Sequence, residues 1–279
     1  MPEGDTLYNL AARLRPVLLG RTLRFGRTDD RGGEPLTGRA VRDIAVRGKH
    51  LLITLDDDTT LHVHLGMTGR FAVRPLNEPG PAPAVDAALV FETDADRVVG
   101  EHLPVLERLT TSQLARHPQL TALGPDLLAE TFDARAVAAP DRFGAALYQP
   151  IGEALLDQRL ACGIGNVYKS EVLFLEAVDP FSQVVTLGPA RLATVLEHTR
   201  LLMRRNLGDD LRRTRRGLDA DRYWVYGREG LPCKRCGEPV AMRRQGDLAR
   251  STYYCAVCQG VGGGVAGRAR AGATGRTKC

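Results

Sequence analysis

Four cysteines constrain this chain more than any other feature: Cys233-x2-Cys236 and, eighteen residues further on, Cys255-x2-Cys258. Each Cys-x2-Cys pair places two thiolates on one knuckle, and two knuckles complete a tetrahedron around Zn2+ at about 2.3 Å per bond. Four thiolates leave no open position, so one structural Zn2+ is expected, in a short module over residues 228–259. Cys162, in a predicted inter-helix turn, and Cys279 read as free thiols. The six histidines show no H-x3-H or HExxH arrangement, which leaves a catalytic metal site unsupported.

Charge is distributed unevenly around that module. Residues 1–199 carry 20 Arg and Lys against 26 Asp and Glu, whereas residues 200–279 carry 18 against 7. The whole basic excess therefore sits in the C-terminal part and points to a polyanionic partner, the plainer alternative being a solubilising surface. Arg235, Arg243, Arg244 and Arg250 crowd the cysteines. A ribbon held by zinc presents such arginines to phosphate or to a groove, although singly each is an ordinary surface residue.

Ahead of the cysteines the chain divides in two. Leu7, Leu10, Leu14 and Leu18 fall at helical spacing behind a cap at Asp5 or Thr6, with Gly20 as a stop and Pro16 kinking the last turn. Short strand-like runs follow: Val41–Val46, Leu51–Leu55, Leu61–Leu65, Phe71–Val73 and Ala88–Phe91, separated by Asp-, Gly- or Pro-rich stretches. Such a series argues for a β-sandwich or barrel. From about residue 107 the pattern is helical, with candidates at 112–116, 127–137, 142–158, 166–176 and 189–206. The fold class expected is α+β, with a mobile Gly/Arg tail from residue 260. Gly262-x-Gly264-x-x-Gly267 fits a dinucleotide fingerprint but lies in that tail without a flanking strand. Gly163–Ser170 approaches a phosphate-binding loop, yet Tyr168 replaces the glycine before Lys169-Ser170. Both are set aside. No apolar run approaches the roughly 20 residues of a membrane span, and the acidic start lacks signal-peptide character. A cytosolic, nucleoid-associated location with reduced thiols is expected.

The start of the chain carries its own chemistry. Once Met1 is removed, Pro2 bears a secondary amine with a pKa of roughly 8, partly unprotonated at neutral pH. Such an amine attacks a sugar C1′ and forms an iminium without further activation. Glu3 beside it is suited to moving protons. Further residues have two readings each. Asn166 opens a helix over Val167–Leu175, either as an ordinary N-cap or as part of a phosphate seat with the orphan N–H groups there. Lys169 is a solvated lysine or a further phosphate contact. Lys49 protects a strand end or faces a ligand.

Several motifs together resemble the Fpg/Nei DNA glycosylases. They are Met1-Pro2-Glu3-Gly4-Asp5, Arg47-Gly48-Lys49-His50-Leu51-Leu52, His64-Leu65-Gly66-Met67-Thr68-Gly69, Leu156-Asp157-Gln158, Gly163-Ile164-Gly165-Asn166-Val167-Tyr168 and Tyr226-Gly227-Arg228. They occur in the family's order over residues 1 to about 259. The resemblance implies an enzyme that excises oxidised bases from double-stranded DNA and nicks the strand at the abasic site. It implies a β-sandwich with a leading helix (1–122), a helix–two-turns–helix domain (123–227), a zinc finger (228–259) and a tail (260–279), with DNA in the cleft between the halves. By motif position Pro2 is the Schiff-base nucleophile and Glu3 the general acid/base. Lys49 contacts phosphate and assists β-elimination, Asn166 is the DNA-contacting asparagine, and Arg250 is the finger arginine of phosphate binding and δ-elimination. Such an enzyme turns the target nucleotide out of the duplex, and Met67 is the candidate wedge for the gap, the alternative being a buried core methionine. The family's purine-directed branch has an Arg-x-Phe pair that Arg97–Pro104 lacks. The resemblance therefore narrows to the endonuclease VIII-like branch, which prefers oxidised pyrimidines. Monomer is the default state. The competing reading is a non-catalytic zinc-finger DNA-binding or damage-sensing protein, which has no need of Pro2, Glu3 and Lys49 together. An RNA-binding ribbon is disfavoured by the low aromatic content of 5%.

Overall fold

The computed structural model describes residues 2–29, 36–78, 87–209, 211–217 and 220–263. Helix α1 (Gly4–Leu18) buries Leu7, Leu10, Ala11, Leu14 and Leu18, the stripe expected from spacing. Its cap is Glu3 and not Asp5 or Thr6. Thr6 is instead the residue whose Oγ1 accepts the Glu3 N–H at 3.2 Å. Pro16 lies in the last turn without ending the helix, because Leu19 N–H still reaches Arg15 O at 2.9 Å.

Eight strands follow among the described residues: β1 (Phe25–Thr28), β2 (Val41–Arg47), β3 (His50–Leu55), β4 (Thr60–His64), β5 (Arg70–Pro75), β6 (Leu89–Glu92), β7 (Asp96–Glu101) and β8 (Val105–Leu109). They form two antiparallel sheets, ordered β1-β6-β7-β5 and β2-β3-β4-β8. Three strands exceed the runs read from sequence. Arg97–Pro104 is not one loop, since β7 takes most of it by pairing with both β5 and β6. β8 occupies the supposed start of the helical half, where it covers the free edge of β4 with Thr60 opposite Leu109. Pairing with a distant strand outweighed weak local patterning. The inward residues of both sheets and the apolar face of α1 share one core, including Leu14, Leu51, Ile53, Leu61, Val63, Phe91 and Val98.

The helical half contains α2 (Thr111–Ala115), α3 (Pro118–Thr121), α4 (Ala134–Val137), α5 (Pro140–Phe143), α6 (Ile151–Ala154), α7 (Asn166–Leu175) and α8 (Val184–Arg204). The two long helices expected over 127–137 and 142–158 are in fact short pieces. Asp133 starts α4 by accepting the Arg135 and Ala136 N–H groups, and Pro140 and Pro150 reset the chain at the next starts. Within α8, Gly188 takes φ 71°, a left-handed conformation open to glycine, and Pro189 begins the regular stretch beyond it. That break agrees with the boundary expected at 189. A second core gathers around Tyr168, Val172, Leu196 and Met203.

The C-terminal module is a hairpin of β9 (Ala241–Gln245) and β10 (Arg250–Tyr254), followed by α9 (Ala256–Gln259). A third, small core joins Phe174 of α7 to Val225, Cys233, Val240 and Cys255. The architecture is thus α+β: a sandwich with a leading helix, a helical half and a cysteine-bearing hairpin. The tail from residue 264 lies outside the described residues. No helix among the described residues is long and apolar enough to cross a membrane.

Candidate active site

Glu3 is fully buried. Its carboxylate accepts N–H bonds from Gly165 at 2.9 Å, Val167 at 2.8 Å and Tyr168 at 3.4 Å, all at the start of α7. An anion at a helix N-terminus is stabilised by those orphan donors and by the aligned peptide dipoles. Residue 165 must be small for this to happen, because a Cβ there would lie 2.5 Å from Glu3 Cδ. The N–H groups read from sequence as a phosphate seat are therefore already satisfied from within the chain.

The same region is pinned by a second carboxylate. Asp5 accepts Tyr168 Oη at 2.8 Å and Arg212 Nη2 at 2.5 Å. Arg212 Nη1 also stands 3.8 Å from Glu3. Arg212 does not stand out in the sequence, where it lies in an arginine-rich stretch with no motif, and Tyr168 appears there only as part of a motif, with no partner indicated. Pro2 is half-buried and lines a cavity of about 450 Å3 with Asp5, Thr6, Leu65, Phe71, Arg212 and Tyr223 among others.

Lys49 sits in the turn between β2 and β3. Desolvation lowers its ammonium pKa, Glu3 opposes that shift, and Arg250 and Arg212 reinforce it. Charges from three other segments thus reach the Lys49 ammonium. The turn itself is held from the helical half. Asp126 accepts Gly48 N–H at 2.6 Å, Leu128 N–H at 2.8 Å and Tyr8 Oη at 3.2 Å. Burial raises the Asp126 pKa against those hydrogen bonds. Asp126 also escapes a reading of motifs; the signal available was an acid following Pro125 just before two buried leucines.

The remaining candidates are placed variously. Arg250 is exposed at the first position of β10. Met67 is 64% exposed in the turn after β4, which removes it from the core. Asn166 is the first residue of α7, with Gly165 as the cap, and its buried Oδ1 has no hydrogen-bond partner among the described residues. Lys169 is neither solvated nor open to a ligand. It is fully buried, and its Nζ donates to Ser251 O at 3.0 Å and Thr252 Oγ1 at 2.7 Å of β10. Burial brings its pKa down to about 7. Two neighbours on α7 act alike: Ser170 Oγ accepts Tyr253 N–H, and buried Glu171 accepts the N–H groups of Trp224, Val225 and Tyr226, each at 2.8 Å. A charged residue inside the apolar run Val167–Leu175 was the sequence signal for that socket.

The sulfurs of Cys233, Cys236, Cys255 and Cys258 lie within 4.8 Å of one another. Cys233 and Cys258 are 3.8 Å apart, and Cys236 and Cys255 3.4 Å. A tetrahedral ion with bonds of about 2.3 Å holds its sulfurs roughly 3.8 Å apart, so the four thiols fit one closed metal site. Arg235 N–H, 3.4 Å from Cys233 Sγ, adds the outer hydrogen bond usual for such a ligand.

Comparisons with known proteins agree with this arrangement. Residues 1–104 match the formamidopyrimidine-DNA glycosylase N-terminal domain, and residues 123–215 match the formamidopyrimidine-DNA glycosylase H2TH domain. A probable endonuclease 8 2 of Streptomyces coelicolor is 41% identical, covering 93% of this chain and 94% of its own. The DNA-(apurinic or apyrimidinic site) lyase Nei2 of Mycolicibacterium smegmatis is 37% identical over 93% of this chain and 99% of its own. In fold, the Lactococcus lactis formamidopyrimidine DNA glycosylase bound to DNA containing an abasic site superposes with a TM-score of 0.76, at 22% identity over 92% of this chain and 99% of that one. Two matched domains in the right order, with relatives aligned along nearly the whole length, establish that the chain belongs to the formamidopyrimidine-DNA glycosylase family, among its endonuclease 8 relatives.

Proposed function

We propose that this protein removes oxidised bases, pyrimidines foremost, from double-stranded DNA and cleaves the strand at the resulting abasic site, with the amine of Pro2 as nucleophile. The observation that supports this reading most is geometric: Pro2 lines a cavity together with Arg212, whose guanidinium stands 3.8 Å from the buried carboxylate of Glu3. The pyrimidine preference rests on the missing Arg-x-Phe pair and the endonuclease 8 relatives. The partner is duplex DNA turned open at the lesion, at a cost of a few kcal/mol for unstacking. Exposed Met67 suits the role of the wedge that fills the gap.

The chemistry runs as one covalent sequence. The Pro2 nitrogen bonds to C1′ as the base leaves and takes a proton from water; the Glu3 carboxylate takes the proton that the nitrogen releases and returns it to the sugar ring oxygen, opening the ring to an iminium. Loss of a C2′ proton expels the 3′ phosphate by β-elimination, and loss of the 4′ proton then expels the 5′ phosphate by δ-elimination. Water hydrolyses the iminium and frees the amine. Lys49 carries phosphate charge in the first elimination and Arg250 in the second. Asn166 contributes a further phosphate contact. Lys169 serves differently from the expectation: its ammonium holds β10, and with it Arg250, in place. One Zn2+ on Cys233, Cys236, Cys255 and Cys258 fastens the finger and takes no part in the bond changes. Residues 1–122, 123–227 and 228–259 act as three units, the last packed on the second through the small core that Phe174 and Val225 share with Cys233, Val240 and Cys255.

Borohydride reduction during turnover on duplexes bearing thymine glycol, dihydrouracil or an abasic site tests the reading. A covalent protein–DNA species mapping to Pro2 by mass spectrometry is expected. Trapping at another residue, or neither trapping nor cleavage with any of these substrates, overturns it and favours a pure DNA binder.

A further inference from the structure

Outside the catalytic region and the cysteine cluster, one other set of metal-type donors converges among the described residues. His50, His62 and His64 alternate with Leu51, Leu61 and Val63 on β3 and β4, so they stand on the sheet face opposite the sandwich core. His62 is nevertheless fully buried. Glu107 of β8 is its register partner, and His117, the N-cap of α3, approaches from the connection to the helical half. Glu107 Oε2 lies 2.7 Å from His62 Nδ1 and 3.0 Å from His117 Nε2, and the three donor atoms are all within 4.8 Å of one another.

We propose that His62, Glu107 and His117 form a second metal site, taking one borderline divalent ion of the Zn2+, Co2+ or Ni2+ kind. Two imidazole nitrogens and one carboxylate oxygen suit such ions and are poor for Mg2+ or Ca2+, which take oxygen shells. The His62 ring is already oriented: its Nε2 is 2.8 Å from His50 Nδ1, which turns Nδ1 toward Glu107. A hydrogen bond on the far nitrogen is the usual outer support of a metal-bound imidazole. Neighbouring donors around a tetrahedral ion stand about 3.3 Å apart. The present spacings open to that value by a small swing of Glu107, whose side chain is 45% exposed.

Protons balance without loss. The His62 proton moves from Nδ1 to Nε2 and is donated to His50, whose own proton moves from Nδ1 to Nε2. The His117 proton moves from Nε2 to Nδ1, displacing the long 3.4 Å contact that Leu120 N–H makes there. The ion replaces the two N–H bonds to Glu107 by three coordinate bonds. It thereby ties β4 and β8 to the segment that leads into the helical half, and stabilises the folded chain by mass action.

The full-length protein with its cysteine site loaded is titrated with Co2+ and Zn2+. One further ion per chain is expected, with Co2+ giving visible d–d bands but no added thiolate charge transfer, and a rise in Tm on loading. Glu107→Gln and His117→Ala, each read against its own fold by circular dichroism, weaken uptake at least roughly tenfold. His198→Ala, which removes a histidine 2.6 Å from Glu176 on the helical half, leaves uptake unchanged. No ion beyond the cysteine-bound one at micromolar free metal overturns the proposal, as does undiminished uptake by the folded Glu107→Gln, His117→Ala double variant.

Discussion

Glu3 gathers N–H groups from the distant start of α7, and Asp126 accepts the distant Gly48 N–H together with that of its own neighbour Leu128; each thereby fixes a residue proposed to react. For Asp126 the neighbour is Lys49, one residue beyond the Gly48 N–H that it accepts. Asp126→Ala leaves the N–H groups of Gly48 and Leu128 without this acceptor, at about 1–3 kcal/mol for each buried group. Urea denaturation should show that loss, and the abasic-site cleavage rate should fall with zinc content unchanged. Unaltered cleavage would separate the turn from catalysis. Lys169 makes a pH prediction. Its pKa is near 7 in the folded chain, against an ordinary 10.5, because burial disfavours the charged form. Above 10.5 the amine is neutral whether folded or unfolded, and burial carries no charge penalty. As pH falls from 10.5 to 7 only the unfolded chain gains the proton, so stability declines through that window and levels below it. The stability of wild type relative to Lys169→Met should therefore rise between pH 7 and 10.5; a difference independent of pH sinks the assignment.

Helix α7 is the element on which the separate parts meet. Its start holds Glu3, and Lys169, Ser170 and Glu171 face the finger and the chain leading to it. Ten residues carry this load only because nearly all of them are buried. Glu171→Ala strips the acceptor from three successive N–H groups at residues 224–226. A cost of roughly 2–4 kcal/mol is expected for a buried network broken on one side. Limited proteolysis should then cut between the helical half and the finger while the sandwich stays intact. Protection equal to wild type would show that zinc alone seats the finger. At the break in α8, Gly188→Ala forces a Cβ into φ 71° and should lower stability by about 1 kcal/mol, read from the Tm.

At the scale of the whole molecule, the three cores and the thiol cluster found among the described residues divide the work. The core that the finger shares with α7 is the smallest of these and contains Cys233 and Cys255, so binding of the proposed zinc would be coupled to folding there. Chelating the zinc should collapse the hairpin that carries Arg250 and weaken affinity for abasic-site duplex, with thermal unfolding of the sandwich retained. Unchanged affinity would contradict a finger role in DNA binding. Because the basic excess is concentrated after residue 199, affinity of the intact protein should also fall steeply with salt through counterion release, and less steeply once the finger is lost.

Local spacing was enough to specify the apolar stripe of α1, the alternating strands β3 and β4, the break before residue 189 and the paired knuckles of the cysteine site. Each is set by residues a few positions apart, where period and geometry are the same thing. The motifs around Pro2, Lys49 and Asn166 pointed to the family on the same footing. Which side chain partners which was left to packing. Packing put the α7 N–H groups on Glu3, withdrew Lys169 into the finger, made β8 from an unpatterned stretch, and joined His62 to residues 107 and 117. Buried charges and donors take whatever partner the packed chain brings within about 3 Å. That distance has no counterpart in sequence separation.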